Sequence, residues 1–307
     1  MKSKFAKAFL SLSFVGFTWI HYAQRCDTSI IYRYLHTITK TNGYRHFMNV
    51  PLLDRTADYV FSALDTYADT TFFQEYIVNG QTYRNVIARF NSTKKEKIII
   101  GAHYDVCGMQ EGADDNASGV VGLLELARLI HLQRPELSIE LVAFTLEEPP
   151  YFRTEHMGSY IHAQSILSEK EIIIGMISIE MIGFYSDERK SQSYPLKWLR
   201  WIYGQRGNFI TLVNKWNKGT FAGRFTRKFV KLASLRTKRF SGPKALPGVD
   251  FSDHLNYWNL GISALMITDT AFYRNKHYHE QGDTMEKLNL SKMALVIESI
   301  HRALLNM

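Results

Sequence analysis

The stretch that most limits what this chain can fold into is 98–119, IIIGAHYDVCGMQEGADDNASG. Ile98, Ile99 and Ile100 form an apolar run of strand type. The chain then drops into a loop carrying His103, Asp105, Asp114 and Asp115 and enters a helix near Ala117. In α/β proteins polar groups displayed at the carboxyl end of a strand are where chemistry collects. A histidine and a carboxylate placed there are good ligands for zinc. The stretch therefore points to metal-dependent hydrolysis above a strand end.

The rest of the chain repeats the pattern. Ala57, Val60, Phe61 and Leu64 recur at helical spacing over 52–67. Strands are expected over 72–78 and 83–90, around the hairpin signal Asn79-Gly80. A helix over 120–132 carries Val121, Leu124, Ala127 and Leu129 on one side. Apolar strands follow over 138–146, 172–179, 208–213 and 262–267, with helices over 157–167, 221–233 and 290–305. Strands alternating with helices predict an α/β fold: a mixed, mostly parallel central sheet with helices on both faces and the hairpin as an antiparallel edge. A chain of 307 residues, 46% hydrophobic, can fill one large core. One catalytic domain is expected over 26–307.

The N-terminus sets Lys2, Lys4 and Lys7 before an apolar run from Ala8 to Ile20. That run is shorter than the ~20 residues of a spanning helix and has the form of a signal peptide. Residues 1–25 are read as a signal peptide, cleaved or kept as an N-terminal membrane anchor. The expected location is outward-facing: periplasmic, extracellular or membrane-anchored. The competing reading is an amphipathic first helix.

Only two cysteines are present, Cys26 and Cys107, too few for a disulfide framework or a Cys-rich zinc cluster. A metal here must be held by histidines and carboxylates. The chain has a formal net charge of +8, and from 189 to 249 it contains no Asp or Glu. That region reads either as a solvated basic helix and loop or as a face for anionic lipid head groups or cell-surface polymer. No nucleic-acid motif accompanies the charge, so a nucleic-acid partner is not expected.

His103 and Asp105, then Glu147 and Glu148, then Glu180, follow three separate apolar strands. His277 and His279 lie in a loop after the last strand. Parallel strands bring their carboxyl ends to one edge, so these four clusters predict one convergent site. Zinc takes His nitrogen and carboxylate oxygen, and two zinc ions about 3.5–4 Å apart can share a carboxylate. Each residue has a plainer reading. Asp114 and Asp115 could cap the next helix, and Glu147-Glu148 could be a solvated pair. Pro149-Pro150 would instead stiffen that pair. Glu180, flanked by Ile179 and Met181, would be costly to bury unpaired. Cys107 reads as an ordinary loop thiol, and Tyr273 as a wall of the substrate pocket.

The stretch at 98–119, with LVAFTLEEPP, ISIEMIGF, GVDFSDHLNYW and NKHYHEQGDTMEKLN, resembles the di-zinc exopeptidases from about residue 54 to the C-terminus. That family includes bacterial secreted leucine aminopeptidases, glutamate carboxypeptidase and glutaminyl cyclases. The resemblance implies a zinc-dependent exopeptidase fold, a peptide substrate and two zinc ions. It implies that His103 binds one metal and that Asp105 orients His103. Asp115 would bridge the metals, Glu147 would be the general base, and Glu148 would bind the second metal. Glu180 would complete the first metal's ligands and His279, four residues before Asp283, the second's. Asp253 and Asp283 would be supports. The secreted aminopeptidases usually carry Asp where this chain has Glu180, which still offers two oxygens. The glutaminyl cyclases work with a single zinc, so cyclisation with one ion is the alternative. A non-catalytic receptor of the same fold would be expected to lose ligands, and here every ligand position is filled.

Overall fold

The computed structural model describes residues 25–168, 172–217 and 219–307. The expected export or anchor segment therefore falls, apart from Arg25, outside the described residues. Among those described, no helix is long and apolar enough to cross a membrane.

In chain order the elements are α1 (Thr28–Thr39), α2 (Val50–Asp65), β1 (Thr70–Val78), β2 (Gln81–Phe90), β3 (Glu96–His103), α3 (Gly119–Leu132), β4 (Ser138–Phe144), α4 (Gly158–Ser165) and β5 (Ile172–Ile179). Then come α5 (Leu199–Tyr203), β6 (Ile210–Lys215), α6 (Gly219–Leu232), β7 (Thr237–Gly242), α7 (His254–Asn259), β8 (Ala264–Thr268) and α8 (Leu290–Leu304). The eight strands form one sheet in the order β1-β2-β4-β3-β5-β8-β6-β7. Its centre, β4-β3-β5-β8, is parallel. β1 and β2 join it antiparallel, as the hairpin signal predicted. The turn closes on the Val78–Gln81 pair, with positive φ at both Asn79 and Gly80. That conformation is the one Asn-Gly tolerates best.

The central strands read as unbroken apolar runs because both faces are covered. Ile98, Ile100 and Ala102 of β3 face one core with Leu141 of β4 and Ile177 and Ile179 of β5. Ile99, Val142, Phe144 and Met176 face the other. The alternation follows from successive side chains pointing to opposite faces. The first core is roofed by α1, α2, α3, α6 and α8, the second chiefly by α4 and α7.

The sequence reading overlooked α1, which buries Ile31, Leu35 and Ile38 at i, i+4 and i+7 and is capped by the Asp27 carboxylate accepting from Ser29 N at 2.8 Å. It also missed α5, β7 and α7, of five or six residues each, too short for a period to emerge.

Candidate metal centre

β3 ends at His103, β4 ends at Phe144 three residues before Glu147-Glu148, and β5 ends at Ile179 just before Glu180. These strands are adjacent and parallel, so the three ends open on one edge of the sheet. Asp115 enters from the turn 113–118 ahead of α3, and His279 from the loop after β8.

The structure brings together the residues singled out in the sequence. His103 Nε2 lies 3.4 Å from Asp115 Oδ1, 3.5 Å from Glu180 Oε2 and 3.8 Å from Glu147 Oε2. His279 Nε2 lies 3.2 Å from Asp115 Oδ2 and 3.1 Å from Glu148 Oε2. Asp115 thus turns one oxygen to each histidine. The ligand atoms of His103, Asp115 and Glu180 lie within 4.8 Å of one another, a spacing at which they could hold one ion. All the carboxylates are buried, Glu147 the most exposed at 7%.

The donor set fits a cation. Asp115 Oδ2, Glu148 Oε1 and His279 Nε2 are buried atoms without a hydrogen-bond partner among the described residues. Groups this polar are costly to bury unsatisfied. Imidazole nitrogen and carboxylate oxygen are the donors zinc takes. A further group of this kind is Cys107, Glu148 and His279, again with ligand atoms within 4.8 Å. Cys107, an ordinary loop thiol from sequence alone and two residues after Asp105, thus stands at the edge of the site.

The supports are longer in reach than sequence alone shows. Asp105 Oδ1 lies 3.5 Å from His103 Nδ1, and its two oxygens also accept from the backbone N–H groups of Glu147 (3.2 Å) and Glu148 (3.0 Å). One carboxylate therefore orients a histidine and clamps the Glu-Glu pair. Asp283 accepts from the N–H groups of Asp114 and Asp115 at 3.0–3.1 Å. Asp114 accepts from Gly183 N, while Asn116 accepts from Gly119 N at the start of α3. The side chain that meets an N–H at the start of α3 is therefore that of Asn116, not of Asp114 or Asp115. Ser252 Oγ donates to Glu180 Oε2 at 2.7 Å. Arg45, 1% exposed, donates to the carbonyls of Ile38, Tyr104 and Gly112 and so ties down the loop between His103 and Asp115. Gly112 sits there at φ 55°, where a Cβ would collide with Val106 and the Asp115 carbonyl. His277 is half-buried, its ring against Gly282, and it is not among the residues whose ligand atoms converge.

Electrostatics set these groups apart. Burial raises the Glu147 carboxyl well above its usual range; His103 opposes this, and Glu148, Glu180 and Asp253 add to it. Burial and the Asp115 charge push Glu148 up to about 8. Burial also acts on Asp115, but His103 and His279 outweigh it and hold that carboxyl below the usual range. Asp253, fully buried, is pushed up to about 7 by desolvation.

Beside Glu180 opens a largely apolar pocket walled by Tyr194, Phe209, Phe240, Met266, Tyr273 and Tyr278. Tyr278 stacks on His279 with ring centroids 3.8 Å apart.

Comparison with known proteins places the chain in one family. The sequence profile of Peptidase family M28 matches residues 85–304. Uncharacterized protein YfbL of Escherichia coli (strain K12) is 42% identical over 277 residues, 88% of this chain and 85% of that protein. A probable leucine aminopeptidase of Arthroderma otae is 23% identical over 68% of this chain, which spans about half of it (53%). Among solved structures, LapB from Legionella pneumophila superposes with a TM-score of 0.73 at 20% identity, covering 94% of this chain and 74% of that one. Bacteroides thetaiotaomicron glutaminyl cyclase bound to N-acetylhistamine gives 0.70 at 19% identity, covering 92% and 99%. These likenesses carry the fold, and the profile match carries the identity: the chain belongs to Peptidase family M28.

Proposed function

We propose that this protein is a zinc-dependent exopeptidase that removes N-terminal residues from peptides. The observation that supports it most is Asp115, one oxygen facing His103 and the other His279, with Glu180 and Glu148 flanking and Glu147 alongside. His103, Asp115 and Glu180 would hold one ion, and His279, Glu148 and Asp115 the other. When bound, zinc supplies Lewis acidity, polarising a carbonyl and lowering the pKa of water to near 7. Glu147 accepts a proton from the attacking water and delivers it to the leaving amine. Its burial raises its hold on a proton, which suits a group that must keep one between two transfers. The pocket beside Glu180 receives the side chain next to the scissile bond, and its Tyr and Phe walls favour a bulky apolar residue.

Digestion of a peptide library, read by mass spectrometry with and without a chelator, tests this reading. Chelator-sensitive loss of single N-terminal residues is the expected result. In Glu147→Gln the rate should fall on the order of 10³-fold, within the range of a lost acid–base group, while zinc content stays unchanged. Full activity in that variant would remove Glu147 from its role. A second reading, cyclisation of N-terminal glutamine with one zinc, draws support from the fold shared with glutaminyl cyclases. One zinc per chain and turnover of a glutaminyl peptide would favour it.

A further inference from the structure

The basic character of this chain is concentrated in one segment. Residues 189–249 hold fifteen Lys and Arg and no acid, whereas the whole chain has a net charge of only +8, so the remainder carries a net −7. Within that segment a second property coincides with the charge. α5 and the residues leading to it turn large apolar side chains outward: Leu196 is 41% exposed, Trp198 49%, Trp201 75% and Ile202 62%. Only Leu199 of this group is buried, in the pocket wall. A protein seldom leaves four large apolar side chains exposed within seven residues without a partner for them.

Exposed cations lie in the same segment. Lys197, Arg200, Arg206, Arg236 and Arg239 are exposed. The Arg200 guanidinium lies 5.4 Å from the Trp201 ring. Tyr203 OH donates to the Arg239 carbonyl at 2.8 Å, and Lys238 Nζ lies 5.9 Å from the Tyr203 ring. These contacts tie Tyr203, the last residue of α5, to β7, an edge strand of the sheet. Lys197, Arg200 and Arg239 form no ion pair with a carboxylate among the described residues.

We propose that Trp198, Trp201 and Ile202, together with Lys197, Arg200 and Arg239, form a docking surface for an anionic lipid bilayer. Tryptophan settles at the level of the head groups, with an apolar ring and a polar N–H. The cations are attracted by the negative surface potential. A soluble polyanion would use the same cations but would leave Trp201 and Ile202 in water. The surface lies on the outer side of the wall that bears Leu199 and Tyr203, so docking would hold the apolar pocket close to the head groups.

The test is co-sedimentation of the full chain with vesicles of phosphatidylcholine alone and of phosphatidylcholine with 30% phosphatidylglycerol, at rising salt. Residues 1–24 are the same in every variant, so differences between variants report on this surface. The wild-type chain should bind the anionic vesicles more tightly than the neutral ones, and more weakly as salt rises. Lys197→Gln/Arg200→Gln/Arg239→Gln should weaken anionic binding on the order of 100-fold at low salt, from about fivefold per cation. Trp198→Ser/Trp201→Ser/Ile202→Ser should weaken it at least tenfold while keeping the salt dependence. Far-UV circular dichroism confirms that both variants are folded. Variants that bind as the wild type does would overturn the proposal. So would equal binding of wild type and the apolar variant to dextran sulfate together with no preference for anionic vesicles, an outcome that makes the region a site for soluble polyanions.

Discussion

Two clusters of buried charge lie within this sheet, and they are built on opposite plans. On β4, Glu140 is fully buried, with Arg89 Nε at 2.6 Å, Lys97 Nζ at 2.9 Å and His162 Nε2 at 3.1 Å. The protein supplies that carboxylate with its own cations. At the strand ends, Asp105, Asp115, Glu147, Glu148 and Glu180 are also buried but face two histidines. Burying a charge is tolerable only when it is paired. The first cluster gives one carboxylate two cations and a histidine; the second is short of positive charge, which divalent ions would provide.

The largest effect that would break or support this contrast is expected at Asp115. Asp115→Asn removes the one carboxylate that faces both histidines. Zinc per chain, measured on the purified protein, should fall, and peptidase activity should drop on the order of 10³-fold or more, reflecting the several kcal/mol a bound metal contributes. In metal-free protein above pH 8, Glu148→Gln should raise the melting temperature by about 2 °C, because burial and the Asp115 charge already push that carboxyl up to about 8 and the change relieves crowded negative charge at a value of roughly 1 kcal/mol. A lower melting temperature for the metal-free variant would show that the carboxylates are not short of counter-charge.

Glu140→Gln should do the reverse. It leaves Lys97, 1% exposed, facing a neutral amide. Breaking a buried pair costs about 3–5 kcal/mol. Denaturant unfolding should show that loss with zinc content unchanged. Loss of zinc alongside stability would mean that the two clusters are not independent.

The same contrast separates what could be read along the chain from what could not. The strands that frame the site announce themselves as apolar runs, and His103, Glu147, Glu148 and Glu180 sit at or just past their ends, so a linear reading finds them. The clamp by Asp105 on the Glu147 and Glu148 N–H groups joins residues 42 and 43 positions apart. Arg45 reaches Tyr104 and Gly112 across 59 and 67 positions. No local period marks such contacts, which exist only once β3 and β4 pair. The Glu140 cluster was invisible for the same reason: a lone Glu in SIELVAF gives no sign that Lys97 and Arg89 will arrive from neighbouring strands. β7, TKRFSG, is polar because it is an edge strand with little to bury.

Acidity sharpens the comparison further. In metal-free protein Glu148 is raised to about 8, and Asp253 and Asp283 to about 7, chiefly by burial. Their unfolded values lie near 4. A raised carboxyl keeps a proton in the fold that the unfolded chain has released. Its stabilisation is therefore present below about pH 4 and is lost as pH rises through 7–8. Glu140 is shifted the other way: burial would raise it, but His162, Lys97 and Arg89 hold it below its ordinary range. Its contribution is present above about pH 4.3 and declines as pH falls from there. Thermal unfolding of metal-free protein from pH 5 to 8 should show a falling melting temperature, at up to roughly 1.4 kcal/mol per pH unit for each raised group. Saturating zinc should flatten that slope. A metal-free profile that is already flat would remove the idea of an uncompensated cluster.

The smallest effect is expected at Ser252, and it bears on how a carboxylate is held for a cation rather than by one. The neighbours of Glu140 are cations, which neutralise it. Those of Glu180 are neutral donors: Ser252 Oγ at 2.7 Å and the Asn116 side-chain amide at 3.3 Å, both on Oε2. Ser252 is itself 2.7 Å from the Ser178 hydroxyl. Neutral donors fix the direction of a carboxylate and leave its charge available. Glu180 has one more rotatable bond than an Asp at this position would have, so it has more freedom to lose when it binds. Ser252→Ala should return part of that freedom while leaving the charge intact. Supporting residues of this kind typically alter metal affinity 10- to 100-fold, and loss of one of two donors should fall at the low end, about tenfold. Competition against a chromophoric chelator, which resolves two binding steps, should show one step weakened and the other unmoved, because Glu180 faces only the His103 side of Asp115. Equal weakening of both steps would mean that Ser252 supports the fold of the site as a whole and not the aim of one ligand.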